Sequence, residues 1–312
     1  MTAPATFHHE ALFYDGDDEF VALCTAFAET GLERDEPVLV MVGSRKLELL
    51  REALGEEADD VHFADMEVIG RNPARIIPAW RRFVAENASG NGGSMRGIGE
   101  PVWADRRPDE LAECQLHESL LNLAFEAAGS FRLICPYDTS TLPRDVIAEA
   151  RRSHPIVSER GDPRPSGDYR GIDGMAEGFS EPLPEPRAGA EEMRVTVDDL
   201  REARSLVRRQ AQSAGMGERT DDLVLAVNEV LSNSLHHARH AGLLRVWDEA
   251  GGLVCEVRDG GRIDQPLIGR EEPAAGQVGG LGIWLVNLVC DLVQVRSSPD
   301  GSAVRMKMSA AT

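Results

Sequence analysis

Apolar residues in the first half of the chain follow two alternating rhythms. Short runs at residues 11–14, 38–42, 61–64, 94–98 and 131–135 are apolar at most positions, which predicts strands. Between them, residues 19–30, 45–54, 73–87 and 110–127 carry apolar side chains at helical spacing, with Asp17 or Asp18 as the expected cap of the first helix. Strand and helix in alternation predict a largely parallel sheet with helices on its faces. The last third reads differently. A strand at 193–197 precedes helices at 198–213 and 221–240; strands then follow at 243–248 and 253–259, a helix at 281–289, and strands at 292–297 and 303–308. Helices leading into a run of antiparallel strands predict an α/β sandwich, one sheet covered on one face.

Between these halves the rhythm lapses. Residues 160–192 hold five prolines and six glycines with little apolar periodicity. The expected organisation is therefore a domain at 1–157, a linker at 158–192 and a second domain at 193–312. A length of 312 residues fits two cores better than one.

Composition removes several function classes. With 42% hydrophobic and 28% charged residues the chain is of ordinary globular type, and a net charge of −20 disfavours nucleic acids and anionic lipid surfaces as partners. No leader pattern opens the sequence, and the apolar run at 281–293 is broken by Asn287 and Asp291, so no membrane span is expected. Cys24, Cys114, Cys135, Cys255 and Cys290 are scattered without close pairs; neither a zinc site nor a disulfide framework is expected, and a cytoplasmic location fits. Lysine occurs at positions 46 and 307, neither within a GxxxxGK[ST] loop, which excludes a P-loop, and the eukaryotic kinase signatures are missing as well.

The chemistry concentrates in the second domain. Along residues 221–238, Leu223, Val227, Val230, Leu231, Leu235 and Ala238 form an apolar stripe, and Glu229, Asn233 and His237 recur at four-residue steps beside it. Such a row reads by itself as a solvated helix face or as a site. Arg258-Asp259-Gly260-Gly261 then ends an apolar strand with an acid that can accept a hydrogen bond from an exocyclic amine, and with glycines that admit close backbone approach. Gly279-Gly280-Leu281-Gly282 opens a helix whose free N–H groups and positive end favour a phosphate. By themselves, these two segments also read as a strand-ending turn and a flexible loop.

In this order the three segments, with Gly301-Ser302-Ala303-Val304, resemble the four sequence boxes of the Bergerat (GHKL) ATPases, the histidine-kinase-like ATP-binding fold. The short module is most similar to anti-sigma factor serine kinases of the RsbW and SpoIIAB type. Ser302 departs from the usual threonine of the last box. The resemblance implies ATP and Mg²⁺ as cofactors, with Glu229 as catalytic base toward a protein serine and Asn233 as magnesium ligand. It further implies His237 near the phosphates, Asp259 at the adenine, Gly280 and Gly282 cradling the phosphates, and Gly261 and Ser302 among the nucleotide-binding residues. The implied partners are a sigma factor and an anti-anti-sigma (STAS) protein, and the small kinases of the family leave a homodimer open. Two alternatives stand beside this: an ATP-dependent sequestering protein without turnover, and a sensor histidine kinase, which lacks a phosphoacceptor helix here because His154 precedes Pro155.

In the first domain, His9-Glu10-Ala11-Leu12-Phe13-Tyr14, Arg96-Gly97-Ile98-Gly99-Glu100-Pro101, Cys135-Pro136-Tyr137-Asp138 and His154-Pro155 resemble the MEDS (DcmR-like sensory) family. That implies a RecA/KaiC-like α/β fold without a P-loop, and signal sensing. Arg96, Glu100, Glu118, Tyr137 and Asp138, near expected strand ends, are candidate pocket residues, with surface salt bridges or caps as the competing reading. Cys135 reads as a buried small hydrophobe, and the adjacent His8 and His9 could ligate a metal, although such pairs near an N-terminus usually have no role.

Overall fold

The computed structural model describes residues 7–88, 93–186, 189–238, 241–249, 251–273 and 280–310, apart from the side chains of Ile172, His237 and Ala238. The chain divides into two compact units, Met1–Met175 and Ala176–Thr312.

The first unit is built on a seven-stranded sheet of β1 (His8–Tyr14), β2 (Val38–Val42), β3 (Val61–Asp65), β4 (Met95–Gly99), β5 (Phe131–Asp138), β6 (Ile156–Glu159) and β7 (Asp162–Pro165). Their spatial order is β3-β2-β4-β5-β1-β6-β7, all parallel except the last pair. Every residue of β2 and β4 is buried, as a parallel sheet covered on both faces requires. One face packs Leu12, Tyr14, Val38, Val40, Val42, Ile98 and Ile134 against Phe20 and Cys24 of α1 (Gly16–Leu32) and Leu50 and Leu54 of α2 (Ser44–Leu54). On the other face Trp80 of α4 (Ile76–Asn87) packs closely over β4. A Cβ added at Gly97 or Gly99 would stand 2.8 or 2.9 Å from its indole, so these positions need glycine. α3 (Met66–Ile69), α5 (Pro108–Ala124) and α6 (Arg144–Ser153) complete the helices of this unit, and α7 (Gly171–Ser180) follows.

Four differences from the sequence reading have simple causes. The cap position of α1 is Asp15, because the helix starts at Gly16 and takes Asp17 and Asp18 into its first turn. β5 runs three residues past the expected end, pairing Pro136, Tyr137 and Asp138 with Leu12, Phe13 and Tyr14. α6 is absent from the sequence reading because it is short and mostly polar, with Val146 and Ala150 as its buried apolar side chains. Most important, the stretch expected to be linker holds β7 and α7. Pro163 and Pro165 sit in β7, the edge strand of the sheet, where missing N–H donors cost little.

The second unit is a five-stranded antiparallel sheet in the order β11-β12-β10-β9-β8, with β8 (Glu191–Val195), β9 (Gly242–Glu249), β10 (Gly252–Asp259), β11 (Leu292–Ser298) and β12 (Gly301–Ser309). The helices α8 (Leu200–Ser213), α9 (Arg219–Ala238) and α10 (Leu281–Val289) supply Leu206, Leu223, Val227, Val230, Ile283 and Val286 to a core shared with the sheet. Alternation along the strands separates two faces. Leu253, Cys255 and Val257 of β10 and Val304, Met306 and Met308 of β12 meet the helices. Glu256, one step out of phase, is fully buried on the opposite face, where Arg258 donates to it at 2.6 Å and Arg305 at 2.6 and 2.9 Å.

Candidate functional site

Strand phase carries the first part of the site. Asp259 continues the row of Val257 and Ser302 that of Val304, so both side chains end on the helix-covered face. They are register partners across β10 and β12. Asp259 Oδ1 accepts hydrogen bonds from Gly261 N at 2.6 Å and Ser302 Oγ at 3.2 Å. Both bonds use the same oxygen, which leaves Oδ2 to receive a donor. Gly301, at φ +136°, closes the turn so tightly that an added Cβ would lie 2.3 Å from Asp259 O. A glycine is needed there.

The second part comes from α9 and α10. Gly280 caps α10 in the left-handed conformation at φ +84°, and Gly282 follows in the first turn. A Cβ added at Gly282 would stand 2.7 Å from Asn233 Nδ2 and 3.2 Å from Glu229 Oε2. The turn that begins α10 is thus pressed against the polar row of α9, and glycine permits the approach. The two parts share one end of the unit. From Gly242, a Cβ would be 3.1 Å from Ser234 Oγ and 3.8 Å from Arg258 O, residues adjacent to Asn233 and Asp259 respectively.

The intervening loop is tied down at its base. Asn287 of α10 donates to Gly269 O at 2.8 Å, and Ile263 N donates to Ser297 Oγ at 2.9 Å. Gly279 and the side chain of His237 lie outside the described residues. A cavity of about 200 Å³ reaches Asp259 and Ser302, but Leu183, Arg258 and Ala303 line it too, and Glu229 and Asn233 do not.

In the first unit a larger cavity, about 380 Å³, is lined by Phe7, Asn122, Leu123, Pro155, Tyr169 and Met175, among others. None of the five pocket residues expected from the sequence lines it. Arg96 is held by Glu36 at 2.5 Å and Phe27 O at 3.2 Å. Glu100 accepts from Tyr14 at 2.7 Å and Lys46 at 2.5 Å, and Asp138 is bonded by Ser140 and Thr141. Tyr137 is buried with its ring edge-on to His154. Glu118 is drawn into a buried group with His9, Cys135 and His154. Burial pushes the Cys135 thiol well up; His9 is lowered to about 4 by burial and by the neighbouring imidazole of His154. Burial would raise Glu118, but hydrogen bonds and charge from the two imidazoles, when these are protonated, outweigh that and hold it below the ordinary carboxylate range.

Comparison with known proteins agrees with the two-part architecture. Residues 193–308 match the family model of the histidine kinase-like ATPase domain. Residues 8–155 match the MEDS family, the MEthanogen/methylotroph DcmR sensory domain. The chain joins a MEDS domain to a histidine kinase-like ATPase domain. Among solved structures, that of the RsbU and RsbW domains of a Mycobacterium tuberculosis protein is similar over 40% of this chain and 33% of that one, at 14% identity and a TM-score of 0.30. This chain therefore spans about a third of the length of that relative. No curated protein matches it. No helix among the described residues is long and apolar enough to cross a membrane.

Proposed function

We propose that the chain is a two-domain signalling regulator, with the unit Met1–Met175 as a sensory domain of RecA/KaiC-like descent and the unit Ala176–Thr312, whose ATPase module spans 193–312, as a Mg-ATP-dependent serine kinase and anti-sigma factor. The observation that carries this reading is the approach of Gly282 to Glu229 and Asn233, a gap a Cβ would fill. Phosphates at the start of α10 would meet the free N–H groups of its first turn. Asp259, steadied by Ser302 and Gly261, would accept the exocyclic amine of adenine through Oδ2, and Gly280 would shape the phosphate turn. His237 is assigned to the phosphates on sequence grounds. The amide oxygen of Asn233 would hold Mg²⁺, which supplies charge neutralisation when bound. Glu229, one turn earlier on α9, would take the proton from the attacking serine hydroxyl.

The assigned partners are a STAS-domain substrate and a sigma factor held by the same domain, in the cytoplasm, with a homodimer as the expected assembly. The cavity bounded by Phe7, Asn122 and Tyr169 is the assigned place for a small signal molecule. The test is transfer of labelled phosphate from ATP to a STAS protein. Glu229→Gln is expected to abolish phosphoserine formation while ATP affinity stays at the wild-type level. Capture of a sigma factor without phosphoserine, indifferent to Glu229, would reduce the chain to a sequestering protein. Acid-labile label on the chain itself would make it a histidine kinase instead.

A further inference from the structure

Among the described residues, a dense gathering of chemically capable side chains lies within the MEDS domain, outside the proposed ATP site. His9 of β1, Glu118 of α5, Cys135 of β5 and His154, just ahead of β6, are all buried, and one ligand atom from each lies within 4.8 Å of the other three. His9 Nε2 and His154 Nε2 stand 3.1 and 3.3 Å from Glu118 Oε2. Cys135 Sγ is 3.4 Å from Glu118 Oε2 and 3.4 Å from His9 Nε2. Tetrahedral ligands at zinc bond lengths are separated by roughly 3.3–3.6 Å; these four separations fall close to that, and the remaining two lie within 4.8 Å.

The surrounding hydrogen bonds set which way the imidazoles face. Asn122 Nδ2 donates to Ser153 O at 2.8 Å and to Glu118 O and Ser119 O at 3.4 Å, which turns its oxygen toward His9. His9 Nδ1 lies 3.1 Å from that oxygen and must be the protonated nitrogen. His154 Nδ1 likewise donates to Ala150 O at 2.8 Å. Both Nε2 lone pairs then point at the same space as the Glu118 carboxylate. With both rings neutral, three acceptors face one another across a buried site with the Cys135 thiol proton to share, while Glu118 Oε1 and His154 Nε2 make no hydrogen bond. Burying acceptors against each other without a donor is costly, and a cation removes the conflict.

We propose that His9, Glu118, Cys135 and His154 form a four-coordinate site for a divalent ion of the zinc type. The mixed nitrogen, oxygen and sulfur donor set suits a borderline metal, and four protein ligands with no exposed face describe a closed site. Asn122 and the Ala150 carbonyl orient the two imidazoles, as outer partners of metal-bound histidines do. On binding, Cys135 gives its thiol proton to solvent and coordinates as thiolate. Asn122 also lines the 380 Å³ cavity, so the side chain that orients His9 is shared between that space and the proposed site.

The experiment is a Co²⁺ titration of the full, chelator-stripped chain without nucleotide, read by visible absorption, followed by displacement with Zn²⁺. One equivalent is expected to give tetrahedral ligand-field bands and a thiolate charge-transfer band, both erased by Zn²⁺. Cys135→Ser should lose the charge-transfer band, and Asn122→Ala should weaken binding roughly 10–100-fold. The charge-transfer band separates this site from any Co²⁺ held at the ATPase site, which has no cysteine in it. A wild-type chain that is folded by circular dichroism yet shows no such band and retains no zinc after dialysis overturns the proposal. So does a band that survives Cys135→Ser. Neither result touches the kinase reading, which is measured on the other unit.

Discussion

Asp259 illustrates how little of a side chain's role is written in its residue type. An acid at the end of a strand is commonplace, but here one oxygen is committed to Gly261 N and Ser302 Oγ, and the carboxylate is held on the helix-covered side of the sheet. On the proposed assignment the other oxygen reads the adenine amine. Asp259→Ala should therefore cost about 1–3 kcal/mol of nucleotide binding, seen by calorimetry as a loss in ATP affinity. Affinity kept within about twofold, well under 1 kcal/mol, would remove Asp259 from the site.

Elements are held in place by contacts that the row of Glu229 and Asn233 depends on. Arg219 at the start of α9 makes a bidentate pair with Asp291, at 2.8 and 2.9 Å, and also donates to Ser309 O and Val289 O. It thereby fixes α9 to the turn between α10 and β11, and so holds the spacing of α9 and α10 that Gly282 makes possible. Arg219→Ala should lower unfolding stability by about 2 kcal/mol in urea, since several charge-assisted bonds go at once. Arg219→Lys should recover little of it, because a point charge cannot form the paired bonds. Stability unchanged in Arg219→Ala would mean that packing alone sets the position of α9.

At the scale of the whole molecule, the boundary between the units matters. The family match begins at residue 193, but the compact unit begins at Ala176. The added segment lays Leu183 into the cavity beside the sheet, pairs Glu185 with Arg245 and Arg258, and offers Pro184 O to Arg305. The Glu185 pairs are two-thirds exposed on the acid's side and contribute little; Leu183, 6% exposed, contributes more. A fragment starting at 176 should be more stable than one starting at 193 by about 2 kcal/mol, measured by denaturant unfolding. Equal stabilities would make the segment a passive tether.

Periodicity is local, and what depends on it could be read from the amino acids alone. The four-residue steps of Glu229 and Asn233, the two-residue phase that puts Asp259 and Ser302 on the core side, and the alternation of strand and helix all follow from hydrogen-bonding patterns that repeat within a few residues. Segments with few large apolar side chains, α6 and β7, left no such trace, and in α7 the spacing of Ile172, Met175 and Phe179 is obscured by Gly171, Gly174 and Gly178. Tertiary structure alone decided what meets what. Gly282 reaches Asn233 because α10 packs on α9, some fifty residues away in the chain. β1 enters the sheet between β5 and β6, which brings His9 to Cys135 and His154 across more than a hundred residues. No spacing rule spans that distance, because the order of strands is set by how the whole sheet buries its two faces, not by any stretch of chain within it.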